Sequence, residues 1–373
     1  MSRVCRAAGP GLRLCQLPPL RLGSVRVSGQ LDLLPGPERR DRSLTVLDER
    51  ARGTRFLELP VRSVLNSAAS THMGFWSINP YVGCEFGCTY CYARDTHRYA
   101  VERSGLAPEP LPDWEAFERR ILVKTGVADV LARTLDPARL GNQALVIGTA
   151  TDPYQPAERR FGLTRRILEA LLRYRGLAIE IISKSPLVVR DIDLLRQLGQ
   201  RHELTVNVSL ATLDRRLARR LELKSPVPEA RIRALRRLTE AGVYAGLLMA
   251  PILPGITDSR AGLGRLMGAA KAAGARYVVG SALRLGPVAR RRFLPVLAHE
   301  FPELAERYAR HYARREGVSP AYQRALTQRI QELRRLHGFS PDESWSRKRP
   351  HLTQVEHEVD RTEEQPLLTG FDT

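Results

Sequence analysis

This 373-residue sequence has few lysines, few cysteines and no long uninterrupted hydrophobic run. Glycine, arginine or proline breaks every apolar stretch before it reaches the ~18 residues that a membrane span requires, so we expect a soluble protein without a membrane segment. The hydrophobic content of 43% and the charged content of 27% are those of an ordinary globular protein. They exclude a wholly disordered chain and a collagen-like one.

The basic residues are almost all arginine. Only five of the 59 Lys and Arg residues are lysines, and the formal net charge is +19. Such a charge balance suits an acidic partner such as nucleic acid. A codon bias that favours arginine explains the same composition without any function, so both interpretations stay open.

The five cysteines are unevenly placed, at Cys5, Cys15, Cys84, Cys88 and Cys91. An odd number with three members inside eight residues is not a disulfide framework, and thiols so close together indicate a metal site in a reducing compartment. We therefore expect a cytoplasmic protein. The first 31 residues contain no Asp or Glu, which is typical of a transit peptide but also of a disordered start.

From about residue 72, short β-rich runs alternate with amphipathic helical stretches. The predicted strands are 75–82, 144–147, 178–182, 204–210, 243–249 and 276–279. Six strands separated by helices predict repeated βαβ units and a parallel sheet, so the fold class is α/β, as an open or partial barrel. We predict an N-terminal extension at 1–71 that is partly disordered, a core at 72–285, a helical Arg-rich extension at 286–350 and an acidic flexible tail at 351–373.

Three cysteines follow the first predicted strand with the spacing C-x3-C-x2-C. Ligands of α/β folds collect where strands end, and thiolates at Cys84, Cys88 and Cys91 can hold three corners of an iron-sulfur cubane. No fourth cysteine lies nearby, so one iron would stay open to a small ligand. The alternative is a structural zinc site completed by His97, in a zinc-stabilised nucleic-acid-binding protein without catalysis.

This loop, with Tyr90 directly before its last cysteine, resembles the signature of the radical S-adenosylmethionine (radical SAM) superfamily. Together with the segment Thr-Asp-Pro-Tyr-Gln-Pro at 151–156, residues 88–92 are similar to the spore photoproduct lyase-like branch. The resemblance covers 72–285 and implies a partial (β/α)6 barrel of the radical SAM type. It also implies a 4Fe-4S cluster that reductively cleaves S-adenosylmethionine into methionine and a 5'-deoxyadenosyl radical, fed by a flavodoxin or ferredoxin-type electron donor.

The resemblance implies roles for single residues as well. Tyr90 would lie near the adenine, and Lys184 matches a lysine that helps to hold the cofactor carboxylate, although a solvated surface lysine is the alternative. Family members often carry a Gly-Gly-Glu-type motif after the second strand. This sequence has Gly-Thr-Ala-Thr-Asp at 148–152 instead, which leaves Thr149 and Thr151 as candidate ligands of the cofactor.

Asn207 and Ser209 alternate with apolar residues on the fourth predicted strand, so they share one face of the sheet. Two inward polar groups can hydrogen-bond a ribose. The alternative is that neighbouring backbone groups form the hydrogen bonds of these two side chains.

The lyases return a hydrogen atom to their product from a cysteine in the loop after the second strand, and this sequence has no cysteine there. Hydrogen would have to come from Tyr90, from Tyr92 or from deoxyadenosine, or would not be returned. Tyr92 can equally be a packing aromatic. We therefore expect that this protein does not repair the thymine photoproduct efficiently.

Residues 284–349 carry 15 basic and 7 acidic side chains, with the arginine triplet 290–292 and aromatic residues at 293, 308, 312 and 322. Arginines can contact phosphates and aromatic rings can stack on bases, so this segment could guide nucleic acid towards the barrel mouth. The alternative is a solvated arginine-rich face with the aromatic rings in the core.

Overall fold

The computed structural model describes residues 45–50, 53–71, 74–104, 111–341 and 343. Cys5, Cys15, the predicted acidic tail and most of the predicted N-terminal extension lie outside these residues. The predicted domain boundaries stay predictions.

Two β-sheets organise the described part of the chain. In chain order, the strands are β1 (Val46–Arg50), β2 (Thr54–Glu58), β3 (Leu65–Asn66), β4 (Trp76–Ile78), β5 (Tyr81–Val82), β6 (Arg120–Val123), β7 (Leu145–Ile147), β8 (Ala178–Ser183), β9 (Glu203–Ser209), β10 (Ala245–Ile252) and β11 (Val278–Ala282). The large sheet has the order β11-β10-β9-β8-β7-β4-β3, and the small sheet has the order β1-β2-β6-β5.

Six strands of the large sheet run parallel and follow one another in chain order, from β4 through β7 to β11. All three residues of β7 are buried, as are six of the seven in β9, as expected for the central strands of a parallel sheet. The six predicted strands are confirmed, and β3 adds an antiparallel edge strand to β4. With β11 at one end and β3 at the other, the sheet is an open array.

The first predicted strand is divided between the two sheets. Residues 76–78 pair with β7 in the large sheet, whereas Tyr81 and Val82 pair with β6 in the small one. Pro80 lies at the division, and a proline has no N–H with which to continue a β-ladder. The cysteine loop therefore leaves from the small sheet, directly beside the carboxyl end of β4.

The helices follow the predicted alternation. They are α1 (Ala68–Thr71), α2 (Ala93–Ser104), α3 (Asp113–Arg119), α4 (Val127–Thr134), α5 (Pro137–Leu140), α6 (Glu158–Phe161), α7 (Leu163–Leu171), α8 (Ile192–Arg201), α9 (Arg215–Leu221), α10 (Pro228–Glu240), α11 (Arg260–Ala272), α12 (Pro287–Glu300), α13 (Pro302–Tyr312) and α14 (Pro320–Leu336), with a 3-10 helix at Pro186–Asp191. Asp214 caps α9 by accepting hydrogen bonds from the N–H groups of Arg216 and Leu217. No helix among the described residues is long and apolar enough to cross a membrane.

The core has two parts. The larger one lies between the parallel sheet and its helices. The smaller one joins the cysteine loop to α12 and α13, and it includes Phe293, Tyr308 and Tyr312. These three rings are at most 4% exposed, which favours the alternative in which the aromatic rings lie in the core. They are apolar partners of the cysteine loop instead.

Candidate active site

The cysteine loop is held tightly against α3 and β6. The N–H of Cys84 donates to the carbonyl of Phe117 at 2.9 Å. Gly83 has a φ of +88°, and a Cβ at this position would lie 2.8 Å from the same Phe117 carbonyl. Only glycine fits there, because a larger residue would meet both strain and a backbone clash.

All three loop thiols are free, and Cys84 and Cys88 are each 7% exposed. Burial raises the pKa of each thiol, in the case of Cys88 to about 12, although the ammonium of Lys184 opposes the shift there. The thiol of Cys88 is also 3.4 Å from the Ser225 hydroxyl. These thiols must lose their protons when they bind a metal, and their loading is therefore coupled to pH.

A fully buried arginine fixes the middle of the loop. Arg94 donates to the backbone carbonyl of Cys88 at 2.8 Å and to the Glu118 carboxylate at 2.7 Å, and it also donates to the carbonyl of Trp114. Its guanidinium lies 5.1 Å from the ring centroid of Phe117. Arg94 thus ties the cysteine loop to α3 through charge-assisted bonds.

Lys184 lies beside the loop as predicted, and it is largely buried. Its ammonium donates to the Ser209 hydroxyl at 3.0 Å and lies 3.7 Å from the Glu222 carboxylate. It is 5.9 Å from the ring centroid of Tyr90. The structure therefore brings together three of the residues predicted for cofactor binding or catalysis, at the carboxyl ends of β8 and β9.

Glu222 organises this cluster, and no sequence motif pointed to it. Its carboxylate accepts hydrogen bonds from the Tyr90 hydroxyl and from Arg231, and its backbone forms an isolated antiparallel bridge with Cys88. Burial raises the pKa of Glu222, but Arg231 and Lys184 outweigh burial, and the pKa is lowered. One buried carboxylate thus faces two cations, Lys184 and Arg231.

Thr149 and Thr151 occupy different positions in the loop after β7. The Thr151 hydroxyl is buried and donates to the Gly83 carbonyl at 2.6 Å, so it fastens this loop to the cysteine loop. The hydroxyl of Thr149 accepts from the Asn79 amide at 3.2 Å, and its carbonyl accepts from the Tyr92 hydroxyl. Thr149 is the more accessible of the two candidates.

Asn207 is separate from Lys184 in its contacts. Its side-chain oxygen accepts from the Tyr277 hydroxyl at 2.7 Å, while its amide nitrogen is buried without a hydrogen-bond partner in the described structure. Ser209, two residues on, contacts Lys184 and the carbonyl of Ala250. The alternative of satisfaction by backbone groups thus applies to Ser209 but not to Asn207, and the ribose role stays a prediction.

His97 does not join the cysteines. It is 3% exposed, its Nε2 lies 3.3 Å from the Arg120 carbonyl, and its ring packs edge-on against Phe117. Within the described ranges, no three His, Cys, Asp or Glu side chains are grouped around a single ion position. The cysteines of a cubane bind three different irons, so they need not converge on one point.

The residues present fit an iron-sulfur cluster. Three unpaired thiols come from one short loop, that loop is anchored by Arg94 and Gly83, and Lys184 provides positive charge beside thiols that become anionic on binding. Such a site is suited to a metal centre in a protein of the α/β class.

Comparison with known proteins identifies the family. Residues 78–264, half of the chain, match the model of the radical SAM superfamily. The uncharacterized protein Rv2578c of Mycobacterium tuberculosis is 35% identical over 302 residues, which cover 80% of this chain and 86% of that protein. The chain therefore belongs to the radical SAM superfamily, and it is a radical SAM enzyme.

Solved structures of spore photoproduct lyase are similar in fold. A single mutant of that enzyme gives a TM-score of 0.56 at 16% identity, over 82% of this chain and 86% of that chain. A double mutant with bound AdoMet and dinucleoside spore photoproduct gives 0.53 at 16% identity, over 77% and 80% of the two chains. The predicted α/β fold of the radical SAM type is confirmed, and its likeness to the lyase is one of fold.

Proposed function

We propose that this enzyme holds a 4Fe-4S cluster on Cys84, Cys88 and Cys91 and uses it to cleave S-adenosylmethionine reductively. The observation that carries the proposal is the position of Lys184, whose buried ammonium lies beside the loop thiols at the carboxyl ends of β8 and β9. A largely buried lysine beside the cysteine loop is suited to an anionic group such as the cofactor carboxylate.

The bound cluster would supply one electron, which splits the sulfonium into methionine and a 5'-deoxyadenosyl radical. The residues of this chain bind the cofactor, orient it and exclude water. Lys184 would hold the carboxylate, and Tyr90, fixed by its hydrogen bond to Glu222, would lie against the adenine. The buried rings of α12 and α13 close the side of the cysteine loop, which keeps solvent from a reactive radical.

The substrate proposed for the radical is an unactivated carbon, and nucleic acid is the candidate that the net charge of +19 favours. A solved structure of spore photoproduct lyase contains a dinucleoside spore photoproduct, which supports a nucleic-acid substrate by analogy of fold alone. A reducing compartment such as the cytoplasm, and a flavodoxin or ferredoxin-type electron donor, complete the proposal.

Anaerobic reconstitution tests the proposed function. We expect a brown protein with about four irons per chain, which forms 5'-deoxyadenosine from S-adenosylmethionine when dithionite is added. Single replacements of Cys84, Cys88 or Cys91 by Ala should abolish both the iron and the product.

The matched controls are Cys5→Ala and Cys15→Ala, which should change neither readout. Loss of iron in the double variant of Cys5 and Cys15 would contradict the assignment of three loop ligands. A colourless protein with stoichiometric zinc would instead support the zinc-stabilised binding protein.

A further inference from the structure

A cavity of about 870 Å³ lies between α9 and α12, and its lining is strongly basic. Glu300 is the only acidic residue in the lining, and Leu223, Pro295 and Val296 contribute apolar surface. Five arginines line it: Arg215, Arg216, Arg219, Arg220 and Arg292. We call this surface the α9–α12 cavity.

Three of the five arginines are exposed and have no carboxylate partner. Arg215, Arg216 and Arg219 form no ion pair with any residue that the structure describes. Arg220 is neutralised by Glu300, and Arg292 lies 3.6 Å from Glu118. Unpaired like charges in a concave surface repel one another, and an anionic partner would relieve that repulsion.

The α9–α12 cavity lies directly behind the cysteine loop. Leu223 lines the cavity, and it sits between Glu222, which is bridged to Cys88, and Lys224, whose N–H donates to the Phe86 carbonyl at 3.0 Å. A trans peptide spans 3.8 Å between Cα atoms and a β-bridge spans up to about 5.5 Å, so the Cα of Leu223 is within roughly 9 Å of the Cα of Cys88.

The α12 side of the cavity has its own connection to the cysteine loop. Arg292 lies 3.6 Å from Glu118, Glu118 accepts from Arg94 at 2.7 Å, and Arg94 donates to the Cys88 carbonyl at 2.8 Å. The α9 side and the α12 side of the cavity are therefore each connected to the cysteine loop by a short chain of contacts.

We infer that the α9–α12 cavity is the docking site of an acidic one-electron carrier protein, and this inference rests on the proposed function. An exposed Leu223 among arginines matches a transient protein interface, in which a small apolar centre is surrounded by charge. On docking, the carrier is oxidised by one electron and the metal group held by the three cysteines is reduced by one. No bond or proton moves.

Nucleic acid is the less favoured occupant. Base recognition by single strands relies on stacking, and the cavity lining contains no Phe, Tyr or Trp. The guanidinium of Arg292 already covers the ring of Trp114, 4.6 Å from its centroid.

The test measures the binding of a reduced flavodoxin to the reconstituted protein by titration at low and physiological salt. We expect binding that weakens with salt, and a roughly tenfold or greater loss of affinity at low salt when Arg215→Glu and Arg219→Glu are combined. The matched control is the combination of Arg236→Glu and Arg237→Glu, two exposed arginines of α10 with the same change of charge. It should bind flavodoxin within about twofold of the unmodified chain.

A second readout compares two reductants in the same variants. The Arg215/Arg219 variant should form 5'-deoxyadenosine normally with dithionite, which needs no docking, and slowly with reduced flavodoxin. Equal flavodoxin binding in this variant and the unmodified chain would overturn the inference, and so would an equal loss in the α10 control.

A single-stranded oligothymidine serves as the alternative ligand. If the oligothymidine, and not flavodoxin, binds the Arg215/Arg219 variant more weakly than the unmodified chain, the cavity is a nucleic-acid site and the inference is wrong. Absence of 5'-deoxyadenosine with dithionite in the unmodified chain would contradict the proposed function instead, whatever the binding data.

Discussion

Lys184 and Glu222 form a buried ion pair at the edge of the cysteine loop, with Nζ and Oε1 3.7 Å apart. Burial lowers the pKa of Lys184, but the Glu222 carboxylate and the thiols of Cys88 and Cys91 together outweigh burial, and the pKa is raised. The lysine is therefore charged at neutral pH. Since Arg231 also binds Glu222, the carboxylate remains compensated when Lys184 turns to another anion.

The first prediction follows from this pair. Lys184→Ala should weaken S-adenosylmethionine binding while the iron content stays unchanged, because the loss of one charge-assisted contact costs about 1.5 to 3 kcal/mol. Equilibrium binding of the cofactor and iron analysis of the same preparation provide the measurement.

Lys271→Ala is the matched control for this prediction, since the Lys271 ammonium donates only to the Gly338 carbonyl on the surface. It should leave cofactor affinity unchanged. Equal affinity in the Lys184 and Lys271 variants would assign Lys184 a purely structural role.

Strand order and the position of Lys184 could be predicted because both follow from local pattern. Short apolar runs such as 178–182 are bounded by helical stretches, and a residue that ends such a strand lies at the carboxyl edge of the sheet. The division of the first strand was not predicted, because both halves are largely apolar and only Asn79 and Pro80 separate them.

Glu222 and Arg231 could not be found from pattern. They lie after and within helices that carry no motif, and their pairing depends on how α9 and α10 pack. A weak signal was present, since Glu222 is the only acidic residue in the basic stretch 215–224. The presence of one acidic residue among five basic ones does not, however, indicate that Glu222 is buried.

Arg94 is predicted to stabilise both the fold and the cysteine loop. Arg94→Met should destabilise the protein by about 3 kcal/mol, since the removal of one partner leaves the buried Glu118 carboxylate poorly compensated. Lys224 and Arg292, each 3.6 Å from Glu118, keep the loss at the lower end of the range for buried pairs. Urea unfolding gives the free energy, and iron retention reports on the loop.

For comparison, Arg291→Met removes an exposed pair with Asp113 and should cost no more than about 1 kcal/mol. A similar, small loss in the Arg94 and Arg291 variants would show that the Arg94 contacts add little.

His202 is predicted to make stability fall in mild acid. Its Nδ1 accepts from the Leu177 N–H at 3.2 Å and its Nε2 lies 3.0 Å from the Leu171 carbonyl, so the buried ring is neutral. Burial lowers its pKa from 6.5 to about 4. The unfolded chain therefore takes up a proton that the folded chain does not, so stability is complete above pH 6.5 and is lost as the pH falls towards 4.

The loss associated with His202 amounts to about 3 kcal/mol over that interval. His202→Gln removes the titrating ring, so the difference in unfolding free energy between the unmodified chain and this variant should shrink by that amount from pH 7 to pH 4. A constant difference for the His202 variant across this range would rule out the buried neutral ring.

The last prediction concerns the fate of the hydrogen atom. The loop 148–157 after β7 contains no cysteine, so no thiol is available there to return hydrogen to a product radical. Tyr92 is 43% exposed, and its hydroxyl donates its hydrogen to the Thr149 carbonyl. With spore photoproduct as substrate we expect little or no repair, and Tyr92→Phe should leave the yield of 5'-deoxyadenosine with dithionite unchanged. The measurement compares the amount of repaired product with the amount of 5'-deoxyadenosine formed. Many repair turnovers per deoxyadenosine would show that this chain returns hydrogen without a loop thiol and would refute the prediction.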